Sequence, residues 1–374
     1  MRCLAFLIAV LLICGSPVAA AGFIADDIDE LESGYITITD EAGTVIMQTG
    51  RNVRPGDQYI SEENHLYEVT SVEGMSAKAR FIRTEEDIAM DTSAVPVQTP
   101  ADPPPQIISI YHTHTDESYL PTDGRVSMPG RGTIMLVGDV FAQRLEELGY
   151  EVRHSKTLHE PHDANAYHRS RRTFMKLLKD QPVALFDLHR DSAPLNAYST
   201  TINGKPTAKI LLVVGRQNQN RRTTLNYAKR IKAASDAKYR GLIRGIFIAR
   251  GNYNQDLNPR AMLVEVGTQY NSRDAAEHSV ALLADIVPAF LNINSRNSAS
   301  AAPVEGATEQ ADPQMATAEE SYGSDMLYIV GAVVIGALGY LYLSTGSWGE
   351  AKNKLNRFFK YEFKDILGSR RRRK

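Results

Sequence analysis

Cysteine is nearly missing from this 374-residue chain: the only thiols are Cys3 and Cys14, both in the first apolar run. Once that run is removed, no disulfide framework and no thiolate metal site can form. Any metal must then be held by His, Asp and Glu. An excess of either charge is missing too. Lys and Arg number 42 against 44 for Asp and Glu, a net charge of −2, so nothing global points to nucleic acid. Long apolar stretches are few. Residues 1–21 carry Arg2, an apolar run over 4–13, then Gly15, Ser16, Pro17 and a small-residue exit at Ala19, Ala20 and Ala21. That is the pattern of a cleaved secretory signal peptide, and the run is too short to span a bilayer. Residues 326–348 carry no charge, and none appears until Glu350. This stretch is long enough for one transmembrane helix, with Tyr340, Tyr342 and Trp348 suited to an interfacial belt. The tail over 349–374 is basic, ending in Arg370 to Lys374. The positive-inside rule therefore places the tail in the cytoplasm and the bulk of the chain outside.

Length allows two or three domains, and an apolar share of 43% is ordinary for a globular protein. Residues 22–84 read as a small β-rich accessory module, with period-two alternation from Tyr35 to Thr39 and turns about every ten residues. No chemistry is legible there. Residues 85–105 form a linker rich in proline, including Pro96, Pro100 and Pro103 to Pro105. Residues 295–325, with much Ala, Ser, Glu and Pro, form a disordered tether. Residues 106–294 alternate strand and helix, with a hairpin turning on Asn203 and Gly204. The expected fold is a three-layer α/β domain with a mixed sheet, preceded by the β-rich module and followed by one membrane helix.

Three strand ends in the α/β part carry ionisable groups. The first apolar strand stops at His112-Thr113-His114, with Asp116 and Glu117 close behind. Histidines at i and i+2 share a face if the strand runs on and part company if it breaks into a loop. The second strand, 183–188, ends in His189 and Arg190. The third places Glu265 between Val264 and Val266, where a carboxylate must face solvent or a site. Open α/β sheets present functional groups at such strand ends. The chemistry that fits is metal-assisted hydrolysis. Two histidines and a carboxylate leave one zinc position open for water. A further carboxylate, for which Glu265 is the candidate, moves the proton to the leaving amine.

Several segments in the same order resemble the stage II sporulation protein P family: Ile110 to Pro121, Asp187 to Ser192, Ile202 to Lys205, Asn254 to Leu257 and Leu263 to Gly267. The resemblance covers about residues 106–292. It implies a membrane-anchored peptidoglycan hydrolase of engulfment during endospore formation, similar to zinc-dependent N-acetylmuramoyl-L-alanine amidases. It also implies endopeptidase activity and work alongside stage II sporulation proteins D and M. The implied place is the cell membrane, single-pass, with the catalytic domain in the space between forespore and mother cell. Laid on the amidase pattern, His114 takes the first zinc ligand place, Glu117 the second and His189 the third, with Glu265 the catalytic glutamate. His112 is either a ligand in place of His114 or a group that polarises substrate. Arg190 and Asn254 are candidates to hold the muropeptide.

Two rivals share these residues: a non-catalytic scaffold that binds the cell wall, and a zinc endopeptidase that cuts only stem peptides. A metal-dependent TIM barrel, which can also open on His-x-His, needs more strand–helix units than this domain has.

Overall fold

The computed structural model describes residues 30–85 apart from Glu32, residues 106–292 apart from Ala164, and Lys352. The expected signal peptide, linker, tether, membrane helix and the rest of the basic tail lie outside the described residues. Among the described residues no helix is long and apolar enough to cross a membrane. The chain divides into compact units of residues 1–301 and 302–374, and the fold below is that of the first.

Among the described residues, thirteen strands and five α-helices follow in order: β1 Ile36–Thr39, β2 Val45–Thr49, β3 Gln58–Ser61, β4 His65–Glu73, β5 Ser76–Thr84, β6 Ile107–Tyr111, α1 Leu120–Asp123, α2 Ile134–Glu147, β7 Glu151–His154, α3 Ala166–Leu177, β8 Ala184–Asp191, β9 Ser199–Ile202, β10 Lys205–Ala208, β11 Ile210–Gly215, α4 Arg221–Lys238, β12 Ile243–Ala249, β13 Ala261–Thr268 and α5 Arg273–Asn292. Eleven strands form one mixed sheet in the order β2-β1-β5-β4-β3-β12-β11-β13-β8-β6-β7. The strands β8, β11, β12 and β13 are buried along their whole length. This explains why β11, β12 and β13 read as largely apolar runs rather than alternating ones, whereas β8 turns polar from Asp187 onward. β9 and β10 pair apart from the main sheet around Asn203 and Gly204, both at positive φ (52° and 73°), as a two-residue hairpin turn demands. Ser272 accepts from the Ala275 amide at 3.2 Å and so satisfies a donor in the first turn of α5.

Strand parity sorts the two faces. Ile110, Leu188, Leu212, Val264 and Ile246 face a layer of α2, α4 and α5, packed against Phe141, Tyr227 and Phe290. Their neighbours Leu211, Val213, Phe247 and Leu263 face the other way, against Ile36, Ile38, Met47 and Tyr59 of the N-terminal strands. Beside them, Leu185 and Tyr111 pack on Phe174 of α3.

The residues expected to form a separate accessory module are therefore part of the main fold. β3 pairs antiparallel with β12, with Ile60 opposite Ile246, and closes an edge that a buried strand would otherwise leave open. From there the N-terminal strands curl over the second face. Asp57, carried on that segment, accepts the Arg250 amide at 2.9 Å and the Arg54 amide at 2.8 Å. The consequence for the site is direct: it lies on the face that the N-terminal segment covers.

Candidate metal centre

β6 ends at Tyr111, and the chain turns out of the sheet at once. Asp187, on the neighbouring β8, makes the turn. Its carboxylate accepts the Thr113 amide at 2.8 Å and the Thr113 hydroxyl at 2.6 Å. The strand break separates the two histidines. His112 stays on the helix-covered side, where its Nδ1 meets the Leu188 carbonyl at 3.0 Å and its Nε2 meets His154 Nε2 at 2.9 Å. His114 swings to the other side.

There, His114 meets Glu117, His189 and Glu30, with one ligand atom from each of the four within 4.8 Å of the others. His114 Nδ1 lies 3.3 Å from Glu30 Oε1 and 3.5 Å from Glu117 Oε1. His189 Nδ1 lies 3.5 Å from the same Glu117 oxygen. These four atoms are all buried and all without a hydrogen-bond partner. Several of the remaining atoms have neighbours in the protein. Glu117 Oε2 accepts the Arg190 amide at 2.9 Å. His189 Nε2 lies 3.0 Å from Asp187 Oδ1, an ion-pair contact without hydrogen-bond alignment, and Nδ1 faces the centre. His162 stacks on His114 with ring centroids 3.7 Å apart, and its nitrogens reach Asp116 at 3.0 Å and Glu30 at 3.3 Å.

Glu265 pairs in register with His189 on the adjacent strand and lies on the same face. Its Oε1 binds Arg51 Nη1 at 2.5 Å, while Oε2 is buried with no partner. Arg51 comes from the N-terminal segment, is itself buried, and lies over the Tyr253 ring at 4.9 Å. Removing either member of such a pair would strand the other in the interior, at a cost of about 3–5 kcal/mol.

The electrostatics follow from burial and neighbours. Burial pushes the Glu265 carboxyl up to about 8, against the pull of Arg51 and His189. For Glu117 burial acts the same way but is overcome, and His189, His114 and Arg190 hold its carboxyl below the usual range. Glu30 is likewise held well down by His114 and His162 against burial. His189 resists burial through Asp187 and Glu117 and is raised well above an ordinary imidazole. His112 is the reverse case: burial, with His154 beside it, lowers it to about 3.

Of the expected site residues, the structure brings together His114, Glu117, His189 and Glu265. It does not bring His112 to the cluster, because both of its nitrogens are engaged on the opposite side of the sheet. Asn254 is also elsewhere. Its side-chain amide donates to the Tyr167 carbonyl at 3.2 Å and Ser170 Oγ at 3.1 Å, and so ties its loop to α3. Arg190 is anchored through its Nη2 on the Val126 carbonyl at 3.1 Å, with Nε buried and unpartnered. Sequence reasoning missed Asp187, Glu30, Arg51 and His162. Asp187 had a signal, an acid two residues before His189 on one strand and therefore on one face. The other three reach the site only through the tertiary fold.

The donor set itself can be tested for fit. Two imidazoles and two carboxylates, whose converging atoms have no hydrogen-bond partner, are the N and O ligands that zinc accepts, and they would give a divalent cation a neutral shell. Leaving four polar atoms unpartnered costs about 1–3 kcal/mol each, and a single cation would satisfy all four.

The family model of stage II sporulation protein P matches residues 32–288. Stage II sporulation protein P of Bacillus subtilis (strain 168) is 32% identical over 210 residues, covering 50% of this chain and 52% of that protein. The chain thus spans about half the length of the curated relative it matches. Among solved structures, the N-acetylmuramyl-L-alanine amidase Ami1 of Mycobacterium abscessus is 16% identical with a TM-score of 0.34, covering 50% of this chain and 97% of that one. The CwlD amidase of Clostridioides difficile, solved with the GerS lipoprotein, is 12% identical with a TM-score of 0.34, covering 52% and 99%. At TM-scores of this size the likeness decides neither fold nor chemistry.

Proposed function

The chain belongs to the stage II sporulation protein P family, and on that premise we propose that it is a zinc-dependent cell-wall hydrolase of endospore formation, cleaving the N-acetylmuramoyl-L-alanine amide bond of peptidoglycan. The observation that carries this reading is the convergence of four buried, unpartnered ligand atoms on Glu30, His114, Glu117 and His189, in register with the half-free carboxylate of Glu265. A scaffold that only bound the cell wall would gain nothing from such an arrangement and would bear its cost.

His114, Glu117 and His189 would hold the ion. Bound there, zinc supplies a Lewis acid for the amide carbonyl and lowers the pKa of water. The protein's own groups do the rest. Asp187 pairs with His189, and the Arg190 amide fixes Glu117. Arg51 holds one oxygen of Glu265 and leaves Oε2 to take a proton from the attacking water and return it to the leaving amine. Arg190, with Nε unpartnered, is the candidate contact for the muropeptide. Anchorage through residues 326–348, a cleaved leader, and work alongside stage II sporulation proteins D and M are further parts of the proposal that rest on the sequence and the resemblance.

Digestion of purified peptidoglycan by the full chain in detergent, followed by mass spectrometry, tests the reading. Stem peptides released by the native protein, and lost with a chelator or in His189→Ala, support a zinc amidase. Cleavage confined to cross-links moves the assignment to an endopeptidase. No release, with no metal in the purified protein, leaves the scaffold.

A further inference from the structure

Glu30 does not belong with the other three ligands in kind. His114 and Glu117 sit on one pinned turn, and His189 sits on a strand buried along its whole length. Glu30 sits on a short strap, held by an isolated bridge to Arg51 and by the Leu31 amide on the Gly50 carbonyl at 2.8 Å. Its side chain is 14% exposed, against 4% for His114 and 0% for Glu117 and His189. Its second oxygen already has a neighbour in His162 Nε2, at 3.3 Å, and Arg51 Nη1 lies 3.6 Å from the first. A carboxylate that leaves the cluster therefore keeps one cation, Arg51, and one imidazole nearby.

We propose that Glu30 is a displaceable fourth ligand that holds the metal centre closed. This rests on the metal-site reading given above. A tetrahedral ion with four protein ligands has no position for water or substrate, which is how structural zinc sites differ from catalytic ones. Three ligands from the sheet and its adjoining turn make a catalytic centre, and the fourth, from the N-terminal strap, makes that same centre latent. The exchange breaks one carboxylate–metal contact and admits one water, with no change of oxidation state. The released carboxylate keeps the Arg51 guanidinium, 3.6 Å from Oε1, and the His162 ring beside it.

The test uses the full chain in detergent micelles, loaded with Co2+, and follows the visible spectrum during azide titration. The spectrum of the native protein is expected to hold steady at azide concentrations that shift Glu30→Gln and Glu30→Ala in a saturable way, at least tenfold below any native response. A chelator should strip metal from both variants about tenfold faster, as expected on losing one of four ligands. Peptidoglycan turnover should rise in the variants. Equal azide responses in native and variant proteins, with Co2+ bound in all, overturn the role of Glu30 and leave the metal site standing. A fall in turnover with metal retained also overturns it. A folded native protein that binds no Co2+ overturns both readings.

Discussion

The two faces of one sheet treat the same residue types in opposite ways. On the helix-covered face, His112 and His154 lie ring to ring, and every nitrogen has a partner: Leu188, the other imidazole, or Asp139 at 3.1 Å. On the face under the N-terminal segment, His114 and His189 each turn a bare Nδ1 toward the same small space, and so do two carboxylates. Burial is high on both faces, with His154 9% exposed on one and Glu30 14% on the other, so burial does not separate them. What separates them is partner satisfaction. An imidazole whose hydrogen bonds close within the protein is part of the packing, whereas a converging set left open is built for something that arrives from outside.

The contrast can be broken most severely at Glu265. Glu265→Gln keeps the shape and the contact with Arg51 but cannot carry a proton. Its peptidoglycan turnover should fall by about 10²- to 10⁴-fold with the zinc content unchanged, as expected for loss of a general base. A Gln variant as active as the native protein would remove Glu265 from the chemistry.

On the other face, changes should affect stability and spare metal. Gly138 of α2 lies over the histidine pair, and a Cβ there would come within 2.7 Å of His154 Nε2 and 2.8 Å of His112 Nε2. Helix propensity alone would make Gly138→Ala stabilising by about 1 kcal/mol. Overpacking costs about 1–3 kcal/mol and should match or exceed that gain, because the new Cβ meets the buried His112 ring and the His154 ring, only 9% exposed. Denaturant unfolding should show a net loss of up to about 2 kcal/mol with full metal content. A gain in stability would mean the rings move freely.

A smaller effect is the pH dependence of that pair. His112 is lowered to about 3 in the fold, from about 6.5 in the unfolded chain. Between these values the unfolded state binds more protons, so its contribution to stability is present above 6.5 and is lost as the pH falls toward 3. Measured with chelator present, the native protein should lose about 1.5 kcal/mol more between pH 6.5 and 5 than His112→Asn does. Parallel curves would place the acid sensitivity elsewhere.

Much of this was legible in the sequence, and the boundary of legibility has a physical cause. His189 and Glu265 stand out because a polar residue at or within a strand buried on both faces breaks a strong pattern. The Asn203–Gly204 turn identified its hairpin in the same local way. The choice between His112 and His114 could not be read locally, since the strand break between them is made by Asp187 on another strand. Glu30 and Arg51 were beyond reach for a related reason. Nothing in the N-terminal segment signals that β3 will pair with β12, and only that pairing carries the segment over the site. Asn254 lies in a matching motif, and the contact its side-chain amide makes with Tyr167 and Ser170 of α3 is likewise set by the tertiary fold.

The most direct test compares the two histidines that sequence could not separate. Zinc content per chain, measured on purified full-length native protein, His112→Asn and His114→Ala, decides between the two faces. The account predicts one zinc per chain in the native protein and in His112→Asn, and at least a tenfold loss of affinity in His114→Ala, as for removal of one ligand from a closed set. Retention in His114→Ala with loss in His112→Asn would contradict it and move the metal to the other side of the sheet.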